Sequence, residues 1–300
     1  GTLRELNREF TVGIGPTHCG ASDSVLVTAQ YMGGSVTALG IGSDGSLHPT
    51  RCVLHHEYGS NANPVRQPHS YCHGAVFDPA GERVIIPDLG ADRLYVYDVD
   101  PARAQLRPAS GGAWFESAPA SGPRSFCFHP NGRWGYLLTE IDSTIVSLDY
   151  DAGDGSFTQI GETVCTIPDE WPGLDVDRCV LLPRPLTAPH SHPPPRPSPG
   201  PWACSRPLTT TTSTPPQPLL LGARLRHEYT VDGAVLDVLL CCSSGRPKVV
   251  GEAPRGLKGN LTAHIEPSPD GRFIYASNRG HDSIVCFAVD GESGGLTYVA

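Results

Sequence analysis

Three stretches of this chain carry the same punctuation, and that repetition restricts the possible fold more than any other feature. They are HGAVFDPAGERVIIPDLGADRLYVYDVD from His73 to Asp100, GPRSFCFHPNGRWGYLLTEIDSTIVSLDYD from Gly122 to Asp151, and AHIEPSPDGRFIYASNRGHDSIVCFAVDGESGG from Ala263 to Gly295. In each, an apolar run stops at a turn where Pro presets one backbone angle and Gly accepts a positive one. In the middle copy, strands are expected over Ser125–Phe128, Trp134–Leu138 and Thr144–Tyr150, with turns at 129–132 and 151–155. The turn prolines Pro79 and Pro130 stand 51 residues apart, and Pro269 stands 139 further on. Short strands repeating at roughly 40 to 50 residues predict an all-β chain, a β-propeller in which each repeat is one blade around a central channel.

A less regular first copy runs from Pro16 to Pro49, with strands expected over Val25–Gln30 and Val36–Ile41 and a tight turn at 43–46. The seventeen or so residues at the start are assigned to a preceding blade. GSNANPVRQ, from Gly59 to Gln67, reads as a loop by composition. From Gly173 the pattern breaks down, and Pro183 to Pro218 is so dense in Pro, Ser and Thr that it cannot supply a packed core. Taking one repeat of 51 from the interval of 139 leaves 88 residues of excess, close to the span from Gly173 to Asn260. The expected organisation is propeller blades over 1–173, a low-complexity, disordered interruption over 174–259, and a further blade over 260–300. The interruption is either a surface insertion or unspliced intron sequence, and the abrupt change of composition favours the second. Four recognisable blades plus an N-terminal remnant, four to five in all, are fewer than a closed ring needs, so the chain is expected to be a fragment of a longer protein.

A formal net charge of −9 argues against a broad nucleic-acid or anionic-membrane surface, while leaving room for a local arginine cluster. No apolar run is long enough to span a bilayer and no signal peptide is evident, so a cytoplasmic location is expected, with a lost N-terminal leader as the alternative. The ten cysteines lack any CxxC pair, which predicts small buried thiols in a reducing compartment rather than a disulfide framework. His69, Cys72 and His73 have the chemistry of metal ligands, but a zinc site needs about four and no second cluster is evident. Neither metal nor cofactor is therefore expected. His55 and His56 read as surface residues, and Arg83, Arg133 and Arg272, which recur just after each turn glycine, read as structural.

Anchoring each copy on its turn proline allows equivalent positions to be compared. Six residues before it stand His73, Arg124 and Ala263. In a propeller this is the entrance to the innermost strand, and successive blades present it at the same end of the channel, so a His and an Arg converge on one mouth. His18 and His264 lie near the same level of their own copies. Nine or ten residues after the proline stand Asp88, Glu140 and Asn278, with Arg279 next. Asp and Asn are ordinary turn formers, whereas Glu is not, which leaves both a structural and a functional reading of Glu140 open.

The motifs GPRSFCFHPNGRWGYLLTE, HGAVFDPAGERVIIPDLGADRLYVYDVD and SPDGRFIYASNRGHDSIVCFAVD resemble the seven-bladed propeller lactonases, the family of bacterial 6-phosphogluconolactonase and the fungal carboxy-cis,cis-muconate lactonising enzyme. PTHCG, QYMGGSVTALGIGSDGSL and RQPHSYCHG are similar to that family's first blades. The resemblance implies hydrolysis of a sugar lactone, such as 6-phosphogluconolactone in the pentose phosphate pathway, without metal. Carried over motif by motif, it implies a catalytic set of His73, Arg124, Glu140 and Arg279: His73 as general base, Glu140 to orient it or shuttle a proton, and the two arginines to bind the substrate's anion and the oxyanion. His18 and His264 are expected to help bind substrate. The alternatives are a muconate-type cycloisomerase using the same cationic site and a non-catalytic propeller scaffold. This chain has Ala263-His264-Ile265-Glu266 where the family usually reads AEIH, an exchange of acid and imidazole beside the expected site.

Overall fold

Val84, Ile85 and Ile86 are consecutive and fully buried, which a strand achieves only when both its faces are covered. The computed structural model, which describes residues 2–167 and 260–299 and the backbone of 228–231 and 234–237, shows what covers them. Four antiparallel sheets follow one another along the chain, each a meander of consecutive strands. The first holds β1 (Pro16–Ala21), β2 (Val25–Gln30), β3 (Ser35–Gly40) and β4 (Cys52–His55). The second holds β5 (Val76–Phe77), β6 (Arg83–Asp88), β7 (Arg93–Asp100) and β8 (Gln105–Pro108), with β9 (Trp114–Glu116) also paired to β7. The third holds β10 (Pro123–Phe128), β11 (Trp134–Thr139), β12 (Thr144–Tyr150) and β13 (Phe157–Gln159), with β14 (Val164–Cys165) also on β12. A separate hairpin joins β15 (Glu228–Val231) to β16 (Ala234–Asp237). The last sheet holds β17 (Thr262–Pro267), β18 (Phe273–Asn278), β19 (Ser283–Val289) and β20 (Leu296–Tyr298).

This is the all-β blade architecture that the repeat predicts, and the sheets do not close into a ring among the described residues. Apart from the β15–β16 hairpin, the interruption expected over 174–259 lies outside the described residues. Two expectations need correction. Each copy forms at least four strands rather than three, because the outer strands β8, β13 and β20 have only three or four residues, too short for an alternating pattern to stand out. The residues before Pro16 carry no strand; Asn7 exchanges hydrogen bonds with the backbone of Leu47, and the carbonyl of Phe10 accepts from Thr50 Oγ1, so they run beside the first blade.

The cores lie between blades. Val84 and Ile86 turn toward the first blade and meet Val25, Val27 and Val36, while Ile85 turns the other way and packs with Phe126, Leu137 and Leu148 of the third. Tyr136, Leu138 and Ile145 on the opposite face of the third blade meet Ile265, Ile274 and Phe287 of the last. Burying an aliphatic side chain of this size stabilises by about 1.5–3 kcal/mol, so blade stacking supplies most of the cohesion. Polar ties add register. Buried Arg83 donates to Asp98 Oδ1 at 2.8 Å and to the carbonyl of Ala152 at 2.7 Å, and Tyr150 donates its hydroxyl to Asp78 Oδ2 at 3.0 Å. Arg83 is structural in this sense, whereas Arg133 and Arg272 pair with Asp149 and Asp270 at the exposed surface.

Candidate active site

Strand pairing defines which positions of the blades are equivalent. The second strands end at Gln30, Asp88, Thr139 and Asn278, all buried, and pairing matches Asp88 with Arg93, Thr139 with Thr144 and Asn278 with Ser283. Glu140 therefore does not share the position of Asp88 and Asn278. It stands one residue later, beside Tyr31, Leu89 and Arg279, at the point where the chain leaves the second strand. His73, Arg124 and Ala263 are equivalent to one another: each follows the residue that pairs with a second-strand end, Cys72 with Asp88, Pro123 with Thr139 and Thr262 with Asn278. Register slips after Pro123, leaving Arg124 in a β-bulge, the kind of irregularity that re-aims a side chain.

These two rows of positions meet at Glu140. The residue is 5% exposed, its backbone N–H donates to the carbonyl of Gly122 at 2.7 Å, and its Oε2 accepts from Arg124 Nε at 2.6 Å and Arg279 Nη2 at 2.7 Å. Gly122 turns the chain into β10 at φ 69°, a conformation that suits glycine. The remaining oxygen, Oε1, accepts from Arg66 Nη2. Burial pushes the Glu140 carboxyl up, but the Arg66, Arg279 and Arg124 charges prevail and hold it below its ordinary value. Arg279 also donates to the carbonyls of Leu261 and Thr262, both at 3.1 Å.

His73 joins the cluster through charge rather than through a hydrogen bond. Its backbone N–H donates to Pro87 at 2.9 Å, and its ring meets that of Tyr31 edge-on with centroids 5.2 Å apart. Burial and then the Arg124 charge push the imidazole down to about 4, with Glu140 opposing in part, so the ring is neutral at neutral pH. His18 and His264 share no described hydrogen bond with the cluster. His18 Nδ1 accepts from the backbone N–H of Ala75 at 3.2 Å, and burial, with His264 contributing, holds its pKa below the ordinary value. His264 is exposed and donates Nε2–H to Glu266 Oε2 at 3.2 Å, so the exchanged acid and imidazole pair with each other in solvent.

Arg66 escaped the sequence reading. It sits in the GSNANPVRQ loop, which has no counterpart in the other copies and so offers no equivalent position to compare. His56 was misread. It is buried, not at the surface, because its backbone N–H continues the pairing to Gly34 and its ring turns inward between the first two blades.

His56, Cys72 and Asp88 form the cluster of metal-ligand types among the described residues, with ligand atoms within 4.8 Å of one another. Their atoms are already spent. Asp88 Oδ1 accepts from the backbone N–H groups of Tyr71, Gly90 and Ala91, and Oδ2 accepts from Ser70 Oγ and from His56 Nδ1 at 2.9 Å. His56 Nε2 takes the Tyr97 hydroxyl at 2.6 Å, and burial pushes the Cys72 thiol well up. A cation would have to displace donors that satisfy a buried carboxylate, so the cluster is a hydrogen-bonded core network.

Two adjoining blades and the loop that holds Arg66 thus bring three guanidinium groups onto one carboxylate, with a neutral imidazole within reach of their charge, on a β-propeller fold. Over residues 1–176 and 246–300 the chain matches the family described as lactonase, 7-bladed beta-propeller, and it belongs to that family. It is 33% identical to 6-phosphogluconolactonase of Bacillus subtilis over 174 residues, 57% of this chain and 47% of that one. It is 25% identical to 6-phosphogluconolactonase of Serratia proteamaculans over 312 aligned positions, covering 100% of this chain and 75% of that one. Among solved structures, the periplasmic gluconolactonase of Pseudomonas aeruginosa superposes with a TM-score of 0.63 at 24% identity, over 97% of this chain and 58% of that one, a likeness of fold. The chain spans about half the length of several curated relatives it matches, 47% in the Bacillus case. No described helix is long and apolar enough to cross a membrane.

Proposed function

We propose that the chain carries the catalytic mouth of a lactonase that hydrolyses a sugar lactone bearing an anionic group, 6-phosphogluconolactone being the first candidate. The observation that carries this reading is the convergence of Arg124, Arg279 and a neutral His73 on the ionised Glu140. Water attacks the lactone carbonyl and forms the new C–O bond. His73 takes the water's proton, Arg124 and Arg279 hold the oxyanion and the substrate's anion, and the ring C–O bond breaks as the proton passes from His73 to the departing alkoxide. Glu140 stays ionised and holds the arginines in place. Its lowered pKa and its guanidinium partners suit that task better than the expected proton shuttle. The names of the relatives support lactone hydrolysis. The match skips 177–245, which supports an interruption between propeller blades, although it takes 174–176 and 246–259, the ends of the expected 174–259, into the family.

With 6-phosphogluconolactone as substrate, His73→Ala is expected to lower kcat/KM at least about tenfold. Unchanged activity would remove His73 from the mechanism. A second reading, cycloisomerisation of a dicarboxylate, draws on the same excess of positive charge, and product analysis separates the two. Failure of every lactone and muconate to turn over would leave a binding scaffold.

A further inference from the structure

Arg66 reaches the mouth from the connection between the first and second blades, and that connection is built to hold it there. Asn63 Oδ1 accepts the backbone N–H groups of Val65 and Arg66 at 3.2 and 3.1 Å. Gln67, fully buried, donates Nε2–H to the carbonyl of Leu89 at 2.8 Å and to Asp92 Oδ1 at 2.6 Å, while its Oε1 accepts from the backbone N–H of Asn63 at 3.0 Å. The backbone on both sides of Arg66 is therefore fixed before any ligand arrives, which lowers the cost of using its side chain to bind one.

Its guanidinium donates to Glu140 Oε1, and the ring of Tyr31, whose hydroxyl feels the Arg66 charge, stacks on Tyr71 with centroids 4.8 Å apart. A guanidinium has five N–H donors, more than this one carboxylate oxygen takes, and the side chain is 30% exposed. Arg124 repeats the pattern: it spends Nε on Glu140, and its terminal N–H groups have no acceptor among the described residues. Arg66, Arg124 and Arg279 against the single carboxylate of Glu140 leave two positive charges over, with His73 uncharged. Planar, permanently charged donors with spare N–H groups match the oxygens of a phosphate.

We propose that Arg66 is a third substrate-binding arginine, the residue that makes the mouth prefer a doubly charged phosphate monoester over a singly charged carboxylate. The proposal rests on the functional reading above, and its first test is independent of turnover. Binding of inorganic phosphate and of acetate at pH 8 is measured by calorimetry on the full chain and on Arg66→Gln. The ratio of phosphate to acetate affinity is expected to fall at least about tenfold in the variant, the size of a lost charge-assisted contact. An unchanged ratio, including equal losses for both anions, would mean that Arg66 only props Glu140 and would overturn the proposal. So would a wild-type chain that fails to bind phosphate. Should Arg66→Gln not fold, Arg66→Lys keeps the charge without the planar fork; a reduced ratio supports the proposal, and an unchanged one sinks it. In the second arm, the kcat/KM ratio of a phosphorylated lactone to its unphosphorylated counterpart should drop at least about tenfold in Arg66→Gln, mostly through KM. Arg66-dependent phosphate binding without turnover of any lactone would refute the lactonase reading and leave this assignment standing.

Discussion

Glu140 keeps its charge in a buried position because three guanidinium groups outweigh the desolvation that favours the neutral acid. The dependence is mutual, since the arginines would repel one another without it. Glu140→Gln is expected to cost about 3–5 kcal/mol, the usual result of stripping one partner from a buried ion cluster. Added phosphate should restore part of the lost Tm by standing where the carboxylate stood; a variant as stable as the parent and indifferent to phosphate would contradict this. His73 makes a different prediction. Burial and Arg124 hold its folded-state pKa near 4, below the ordinary 6.5, so the unfolded chain binds a proton that the folded chain refuses. The stability His73 contributes at neutral pH is thus lost as pH falls from 6.5 toward 4. The loss amounts to roughly 3 kcal/mol at most. Urea midpoints measured across this window should fall less steeply in His73→Gln than in the parent, and parallel profiles would show that the imidazole is not shifted.

At the scale of elements, Asp92 ties the Arg66 loop to the connection leading into β10, the strand that carries Arg124; Gly122 of that connection also receives the Glu140 backbone N–H. Buried and at φ 53°, it accepts on Oδ1 from Gln67 Nε2 and from the backbone N–H of Gly122 at 2.9 Å, and on Oδ2 from Ser60 Oγ at 2.7 Å and the backbone N–H of Ala120 at 2.9 Å. Asp92→Ala orphans these donors and is expected to lower stability by at least about 2 kcal/mol. Asp92→Asn, which keeps one acceptor oxygen and tolerates the left-handed backbone, should cost less. Amide exchange should quicken at 60–67 and 120–122 in the alanine variant; if those segments stay protected, the loop is held by other means. Asp92 lies in DLGADR, a motif evident in the sequence, but its partners come from two separate connections, 56–75 and 117–122, and no spacing rule joins them. The same holds for His56, whose place in the core depends on Asp88 and Tyr97 in a different blade.

For the molecule as a whole, the last blade has one covered and one open face. Ile274 on β18 is fully buried against the third blade, whereas Ile284 on β19 is 65% exposed on the opposite side. Ile274→Ala should cost about 2–5 kcal/mol, and Ile284→Ser about 0.5 kcal/mol or less. A cost at position 284 as large as that at 274 would show that something covers the open face in solution, and a midpoint that moves with protein concentration would identify it as another copy of the chain.

Turn chemistry and two-residue alternation act over a few neighbours, so the sequence alone determined that this chain makes blades, where their long strands run, and that His73 and Arg124 hold equivalent positions. It could be compared only with itself. Glu140 was placed one step out of register because counting from a proline cannot detect which residue closes a strand pair. Arg66, on a loop without a counterpart, could not be compared at all. Which side chains meet at the mouth, and the two positive charges left over once Glu140 has been counted, follow from distances through space that stacking sets between blades. Those distances exist only after separate repeats have packed.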